Sequence, residues 1–285
     1  MNDDLILVTG GTGHLGRHLV AELLRQRRRI RVFARLPGTD PRVQWARGDL
    51  ATGQGLDEAL AGVGTVVNTA TFSPIAQRGR LRLIDFLRTP SDVDVQGTRR
   101  LLQASRQARV QHLIHVSITG LHPQSPLPYN RVKLAGENLV RESDLPWSIV
   151  QAAPFHYLMA RLLGGMRFMP WWPLPDVPMQ PVDTTDVATY LAQCTADGRR
   201  GVREPIVGPE VMAFPSLARQ YLEARGLRRR VLPLKISATR AERMGFTTTA
   251  GRHGRVSWRE WLQTHDDEPG GRVRTQPLPA LPFET

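Results

Sequence analysis

The stretch Leu5 to Gly16, Leu-Ile-Leu-Val-Thr-Gly-Gly-Thr-Gly-His-Leu-Gly, limits what this chain can fold into more than any other. Leu5 to Val8 is a short continuous apolar run, the pattern of a strand buried on both faces. Glycines follow at Gly10, Gly13 and Gly16, and apolar residues then recur at helical spacing: Leu15, Leu19, Val20, Leu23 and Leu24. This is a strand, a tight turn and a helix start in succession. Gly10 lets the backbone turn sharply, Gly13 lets it approach a pyrophosphate, and Gly16 lets the helix pack on the strand. The first amides of such a helix are unpaired and its dipole is positive there, which suits phosphate. A dinucleotide bound at the head of a sheet is the expectation.

The rest of the chain continues the alternation. Further strands are expected at Ile30 to Ala34, Val43 to Ala46, Thr65 to Asn68, Leu113 to Ser117 and Leu145 to Val150. Helices are expected to about Gln26, then at Leu56 to Ala61, Asp92 to Ala108 and from Tyr129 onward. Strands alternating with helices call for an α/β fold, a Rossmann-like doubly wound parallel sheet. At 285 residues the chain has room for this domain and a smaller appendage. Residues 1–153 with about 179–200 are assigned to the NAD(P)-binding domain. Residues 154–178 and 201–264 are assigned to a small C-terminal substrate-side cap, and 265–285, rich in Pro and Gly, to a flexible tail.

Composition narrows the function classes. A single cysteine, Cys194, on an apolar helix stripe, excludes an internal disulfide and fits a cytoplasmic location. No apolar run reaches the ~18 residues of a membrane span, and the N-terminus does not resemble a signal peptide. The net charge of +12 raises nucleic-acid binding. Its arginines are scattered over most helices without a recognition motif, so a nucleic-acid partner is not expected. No metal-ligand cluster is present in the sequence.

Two positions address the cofactor's identity. Arg35 ends the second strand, about 20 residues beyond the glycines, where the adenosine ribose is met in such folds. An acidic residue there would select NAD(H); arginine suits the extra 2′-phosphate, so NADP(H) is preferred. Asp49 and Leu50 form an acidic turn suited to the adenine edge. Asn68, Thr69 and Ala70 end the fourth strand with side chains small enough for close approach.

The chemistry is expected after the fifth strand. Ser117 closes that strand at the carboxyl edge, where ligands sit in these sheets. Tyr129 and Lys133, four residues apart, share one face of the following helix. An ammonium one turn away favours ionisation of the phenol, making it a usable acid and base. Of the 38 basic residues only Lys133 and Lys235 are lysines, which marks Lys133 as a position where arginine does not serve.

Thr9-Gly10-x-x-Gly13-x-x-Gly16, Asp49, Ser117 and Tyr129-x-x-x-Lys133 together resemble a short-chain dehydrogenase/reductase. The runs His115 to Gly120, Pro128 to Glu137, Leu145 to Val150 and Pro181 to Ala188 resemble its NmrA-like, atypical branch, over residues 4 to about 235. The resemblance implies NADP(H) held by Thr9, Gly10, Gly11, Thr12, Gly13, His14, Leu15 and Gly16, with Pro154 and Phe155 at the nicotinamide end. It also implies Tyr129 as acid/base, Lys133 on the nicotinamide ribose and Ser117 polarising the substrate. The sequence departs from the pattern at Asp94, where extended relatives carry asparagine, and at Gln151 to Pro154, where they often have Arg-Pro. Many NmrA-like proteins lack the tyrosine and act as cofactor-sensing regulators. The leading expectation is therefore an oxidoreductase acting on a carbonyl or alcohol, with a sensor as the alternative and a sugar-nucleotide epimerase as a lesser one.

The stretch from Gly164 to Pro178 reads as a loop dense in Met, Trp and Pro. Phe72, His156, Met169 and Trp171 are candidates for an apolar or aromatic substrate. A plain core or a homodimer contact is the competing reading of this loop, and for His156 a structural role is the favoured reading.

Overall fold

The computed structural model describes residues 4–71, 91–198, 200–245 and 250–265. The expected contact at Phe72, the arginine-rich insertion around it, and the tail beyond His265 fall outside the described residues.

Among the described residues a nine-stranded sheet forms the centre. Six of its strands are β1 (Leu5–Thr9), β2 (Ile30–Ala34), β3 (Gln44–Arg47), β4 (Val63–Asn68), β5 (His112–Ile118) and β6 (Trp147–Ala152). Every pairing among them is parallel, in the spatial order β6-β5-β4-β1-β2-β3. Strand order therefore reverses between β1 and β4, and the crevice at that switch point is where an open α/β sheet takes its ligand.

The helices cover both faces, as continuous apolar strands require. Helix α1 (His14–Arg25) buries Leu15, Leu19, Val20 and Leu23 against one face. The other face is covered by α2 (Leu56–Leu60), α3 (Thr98–Gln107) and α4 (Pro128–Arg141). The expected helix from Asp92 divides. Asp92–Gly97 is a π-helical turn, with the Gln96 amide reaching back to the Ser91 carbonyl, and regular helix starts only at Thr98. Helix α5 (His156–Gly165) then leads toward a third core.

Two expectations about the second half are corrected. The supposed loop from Gly164 contains a strand, β7 (Trp171–Pro175), followed by the short β8 (Pro178–Met179). Alternation explains β7, since Trp172 and Leu174 point inward while Trp171 and Pro173 point out. Its prolines are tolerated in a two-stranded ribbon, where one side of each strand needs no ladder bond. Helix α6 (Thr184–Ala196) returns to the α1 face and buries Cys194 completely. Burial pushes that thiol up to about 11, the behaviour of an inert structural cysteine.

Beyond α6 the extent of the cap is corrected as well. Strands β9 (Gly201–Val202) and β10 (Ile206–Val207), expected in the cap, extend the central sheet beside β6. After β11 (Met212–Ala213), α7 (Phe214–Ala224), β12 (Arg230–Leu234) and α8 (Ala238–Arg243), β13 (Arg252–His253) pairs with β10 and α9 (Trp258–Thr264) closes the described chain. The third core joins α5, β7, α7 and α9 around Trp172, Tyr221, Trp258 and Trp261.

Candidate functional site

The glycine turn is built as its spacing implies. Gly10 has φ +72°, and a Cβ there would lie 2.8 Å from the Ala70 backbone, so both conformation and space demand glycine. A Cβ on Gly16 would lie 2.1 Å from the Gly10 carbonyl oxygen, which is how closely α1 abuts the turn. At Gly13 a Cβ would meet only that carbonyl, at 3.1 Å. Gly13 caps α1 without a side-chain bond, and no acidic residue occupies the first turn. This is an uncapped, positively polarised helix end facing the β1/β4 crevice. It fits a pyrophosphate.

The floor of the crevice is a chain of side-chain bonds between neighbouring strands. Thr9 donates to Asn68 Oδ1 at 2.6 Å, and the Asn68 amide nitrogen lies 3.1 Å from His115 Nδ1. Thr69 donates its hydroxyl to the Thr9 carbonyl at 2.7 Å. These bonds fix the ends of β1, β4 and β5 relative to one another. Burial, then the charge of Lys133, pushes His115 down to about 3, so it is neutral, and its Nε2 is buried without a partner among the described residues.

Lys133 lies on α4, one turn beyond Tyr129, with only 4% of its side chain exposed. Its ammonium donates to Asp94 Oδ1 at 3.3 Å and to the Val116 carbonyl at 3.4 Å. Thr71 donates to the same Asp94 oxygen at 2.7 Å. The π-helical turn carries Asp94 into this position, in line with such turns' frequent place at functional sites. Asp94, a departure from the family pattern, is thus the immediate partner of Lys133.

That pairing corrects one expectation. Lys133 does not lower the Tyr129 phenol; burial first, and then the Asp94 charge, push it well above the ordinary tyrosine value, with a bond to Thr71 pulling the other way. The Tyr129 phenol is therefore neutral at physiological pH. Ser117 is buried at the end of β5 with its hydroxyl unpartnered among the described residues, and no hydrogen bond joins it to Tyr129.

The remaining expected residues divide. Arg35 is exposed at the end of β2 and makes no ion pair with a described residue. Asp49 accepts the Ala51 amide at 2.9 Å, shaping the turn after β3, and Leu50 is buried against Gly97. Pro154 and Phe155 sit at the exit of β6, where the Pro154 carbonyl accepts the Val182 amide at 2.9 Å. His156 turns away into the third core, with Nε2 3.0 Å from the Val256 carbonyl and Trp258 and Trp261 beside its ring. It is a structural histidine. Met169 and Trp171 are 43% and 57% exposed. Trp171 lines an outer groove of about 550 Å³ with Phe168 and Arg228 to Arg230, a group that includes neither Tyr129 nor Ser117.

Tyr157 and Thr71 were not singled out from the sequence. Tyr157, on the first turn of α5, stacks on His14 with ring centroids 3.9 Å apart and planes 6° from parallel. Burial, then the nearness of Tyr129, pushes its phenol up. It therefore links the glycine turn to the Tyr129 cluster. Its only signal was a tyrosine soon after Pro154. A narrow crevice at the same sheet edge is lined mainly by small and apolar groups, including Ala153, Pro154, Met179 and Val207.

With this geometry in place, the family described as NAD(P)H-binding matches residues 10–197. The chain belongs to that family. Among curated relatives it is 38% identical over 128 residues to sterol demethylase protein B of Methylococcus capsulatus, covering 41% of this chain and 36% of that protein. It is 29% identical over 234 residues to an NAD(P)H azoreductase of Xenophilus azovorans, covering 78% of this chain and 74% of the azoreductase. The matched stretch spans 36% of the length of the Methylococcus protein, and 37% and 57% of the lengths of two further curated relatives, a 3-beta-hydroxysteroid dehydrogenase of Mycolicibacterium neoaurum and a photosystem II assembly factor Ycf39 of Cyanophora paradoxa. A short-chain dehydrogenase/reductase superfamily protein from Agrobacterium tumefaciens, solved with bound NAD, superposes with a TM-score of 0.66 at 21% identity. That match covers 90% of this chain and 94% of the Agrobacterium protein. The doubly wound fold and the NAD(P)-binding family agree with the sequence reading.

Proposed function

We propose that this chain is an NADP(H)-dependent oxidoreductase that moves a hydride between the nicotinamide and the carbonyl or alcohol carbon of a small, largely apolar substrate. One observation carries the reading. The Tyr129, Lys133, Asp94 and Thr71 side chains are gathered at the carboxyl edge of β4 and β5, beside an uncapped glycine-turn helix.

When bound, the nicotinamide supplies or accepts the hydride. The glycine turn would hold the pyrophosphate through the first amides of α1, and Arg35, exposed and without an ion pair among the described residues, would hold a 2′-phosphate by a charge-assisted fork. In the reducing direction the substrate oxygen gains a proton from Tyr129, whose phenol is kept protonated by burial and Asp94. The Ser117 hydroxyl, without a hydrogen-bond partner among the described residues, would donate to that same oxygen. Lys133 reaches the carboxyl end of β5, where the nicotinamide ribose would lie. An apolar substrate is supported by relatives named for sterol and azo chemistry.

Asp94 favours a second reading. Its carboxylate answers the Lys133 charge that would otherwise act on the phenol, as suits a protein that binds NADP(H) without turning it over. NADPH and NADH oxidation followed against a panel of aromatic ketones, quinones and enones separates the two. A reductase turns over at least one of them and prefers NADPH, and Arg35→Ala lowers kcat/KM for NADPH by roughly 10- to 100-fold while sparing NADH. Binding of NADPH and NADP⁺ with different affinities, and turnover of nothing on the panel, supports the sensor.

A further inference from the structure

Met169 and Trp171, two of the residues that the sequence suggested for a substrate, face outward on the cap together with Phe168. Phe168 is 81% exposed, Trp171 57% and Met169 43%. The parallel ribbon of β7 and β12 continues this surface. Trp171 is in register with Arg230 and Pro173 with Leu232, so they share one face. Leu232 and Leu234 are 42% and 47% exposed. Scattered apolar residues on a surface need no explanation, but a contiguous set on one ribbon face marks an interaction site.

The rim of this face carries one sign of charge. Arg228, Arg229 and Arg230 line the groove with Phe168, Pro170 and Trp171, and Arg167 lies over the Phe168 ring at 4.7 Å. The Arg229 guanidinium donates to the Arg167 carbonyl at 3.0 Å, which ties the two arginine segments together. Among the described residues none of these four arginines forms a salt bridge, and no carboxylate lines the groove. Guanidinium forks match phosphate geometry, and exposed Trp and Phe beside cationic side chains match the headgroup level of a bilayer.

We infer that this cap face docks on an anionic lipid surface, with Phe168, Trp171 and Leu232 entering the headgroup boundary and Arg228 to Arg230 engaging lipid phosphates. This is peripheral attachment, since no helix among the described residues is long and apolar enough to cross a membrane. A second copy of the chain is a poorer occupant, because it brings the same excess of positive charge (+12) to the contact.

The test is flotation of the full chain with vesicles of equal parts phosphatidylcholine and phosphatidylglycerol, and of phosphatidylcholine alone, at physiological salt. The chain is expected to float with the anionic vesicles only, with excess inorganic phosphate failing to displace it. Phe168→Ser with Trp171→Ser should weaken binding at least about tenfold. Arg228→Gln, Arg229→Gln and Arg230→Gln together should weaken it on the order of 100-fold. Unchanged thermal melting of both variants shows that they still fold, and single Trp171→Ser serves if the double variant does not. Three results overturn the proposal. The first is no flotation, or equal flotation with phosphatidylcholine alone. The second is binding unaffected by loss of the aromatics, which is plain adsorption of a basic chain. The third is a wild-type dimer in sedimentation that the aromatic substitutions make monomeric, which assigns the face to a second copy.

Discussion

Asp94 shares one oxygen between the Lys133 ammonium and the Thr71 hydroxyl, so its replacement acts on both charge and stability. Asp94→Ala leaves a buried ammonium without its carboxylate and should cost about 3–5 kcal/mol, read as a lower denaturant midpoint. Asp94→Asn keeps an acceptor but removes the charge that helps raise the phenol. In the oxidising direction the phenol must ionise, so the rate rises with pH. The variant should shift that rise to lower pH by about one unit, read from the pH dependence of kcat/KM. Tyr129 and Lys133 were legible in the sequence because their spacing is local. Their third partner was not, because Asp94 reaches them through the adjacency of β4 and β5 and through a π-helical turn that no composition signals. For His156 the sequence favoured a structural role but not its partners, because these, Trp258 and Val256, lie about a hundred residues away.

Among the elements, the turn from β1 into α1 is the most completely specified by its own residues. Gly10, Gly11 and Gly16 are fixed by a contact or a dihedral angle inside the turn or one strand away, so most of the pattern could be read directly. Gly10→Ala forces a left-handed backbone on a residue with a Cβ, and should cost about 1–2 kcal/mol from conformation alone, before the contact with Ala70. Gly16→Ala drives a methyl into the Gly10 carbonyl and should cost about 1–3 kcal/mol while weakening NADPH binding, measured by thermal melting and fluorescence titration of the same preparations. The β7–β12 ribbon is the opposite case. Its strands lie more than fifty residues apart, and Pro173 and Pro175 mask β7 as a loop, so its outward face was taken for a pocket lining. The strands near residues 201 and 206 were misassigned to the cap because two-residue strands carry no periodicity of their own.

For the molecule as a whole, acid sensitivity follows from histidines buried neutral. His112 and His115 are 3% and 2% exposed, and burial pushes them down to about 4 and about 3. In the unfolded chain each binds a proton near its ordinary 6.5. The unfolded state therefore holds more protons below that pH, and stability falls as pH drops from 6.5 through the folded values. At about pH 5 each should have cost about 2 kcal/mol, seen as a lower urea midpoint than at neutrality. The central claim at this scale is that the sheet's switch-point crevice consumes its cofactor at Tyr129. It is tested most directly by measuring, on one preparation each of wild type and Tyr129→Phe, both NADPH affinity and the NADPH-dependent turnover of the best carbonyl from the panel. The account predicts equal affinity with turnover lowered about 10²- to 10⁴-fold in the variant. Turnover unchanged by the loss of the phenol, or NADPH bound by both proteins and oxidised by neither, would contradict it.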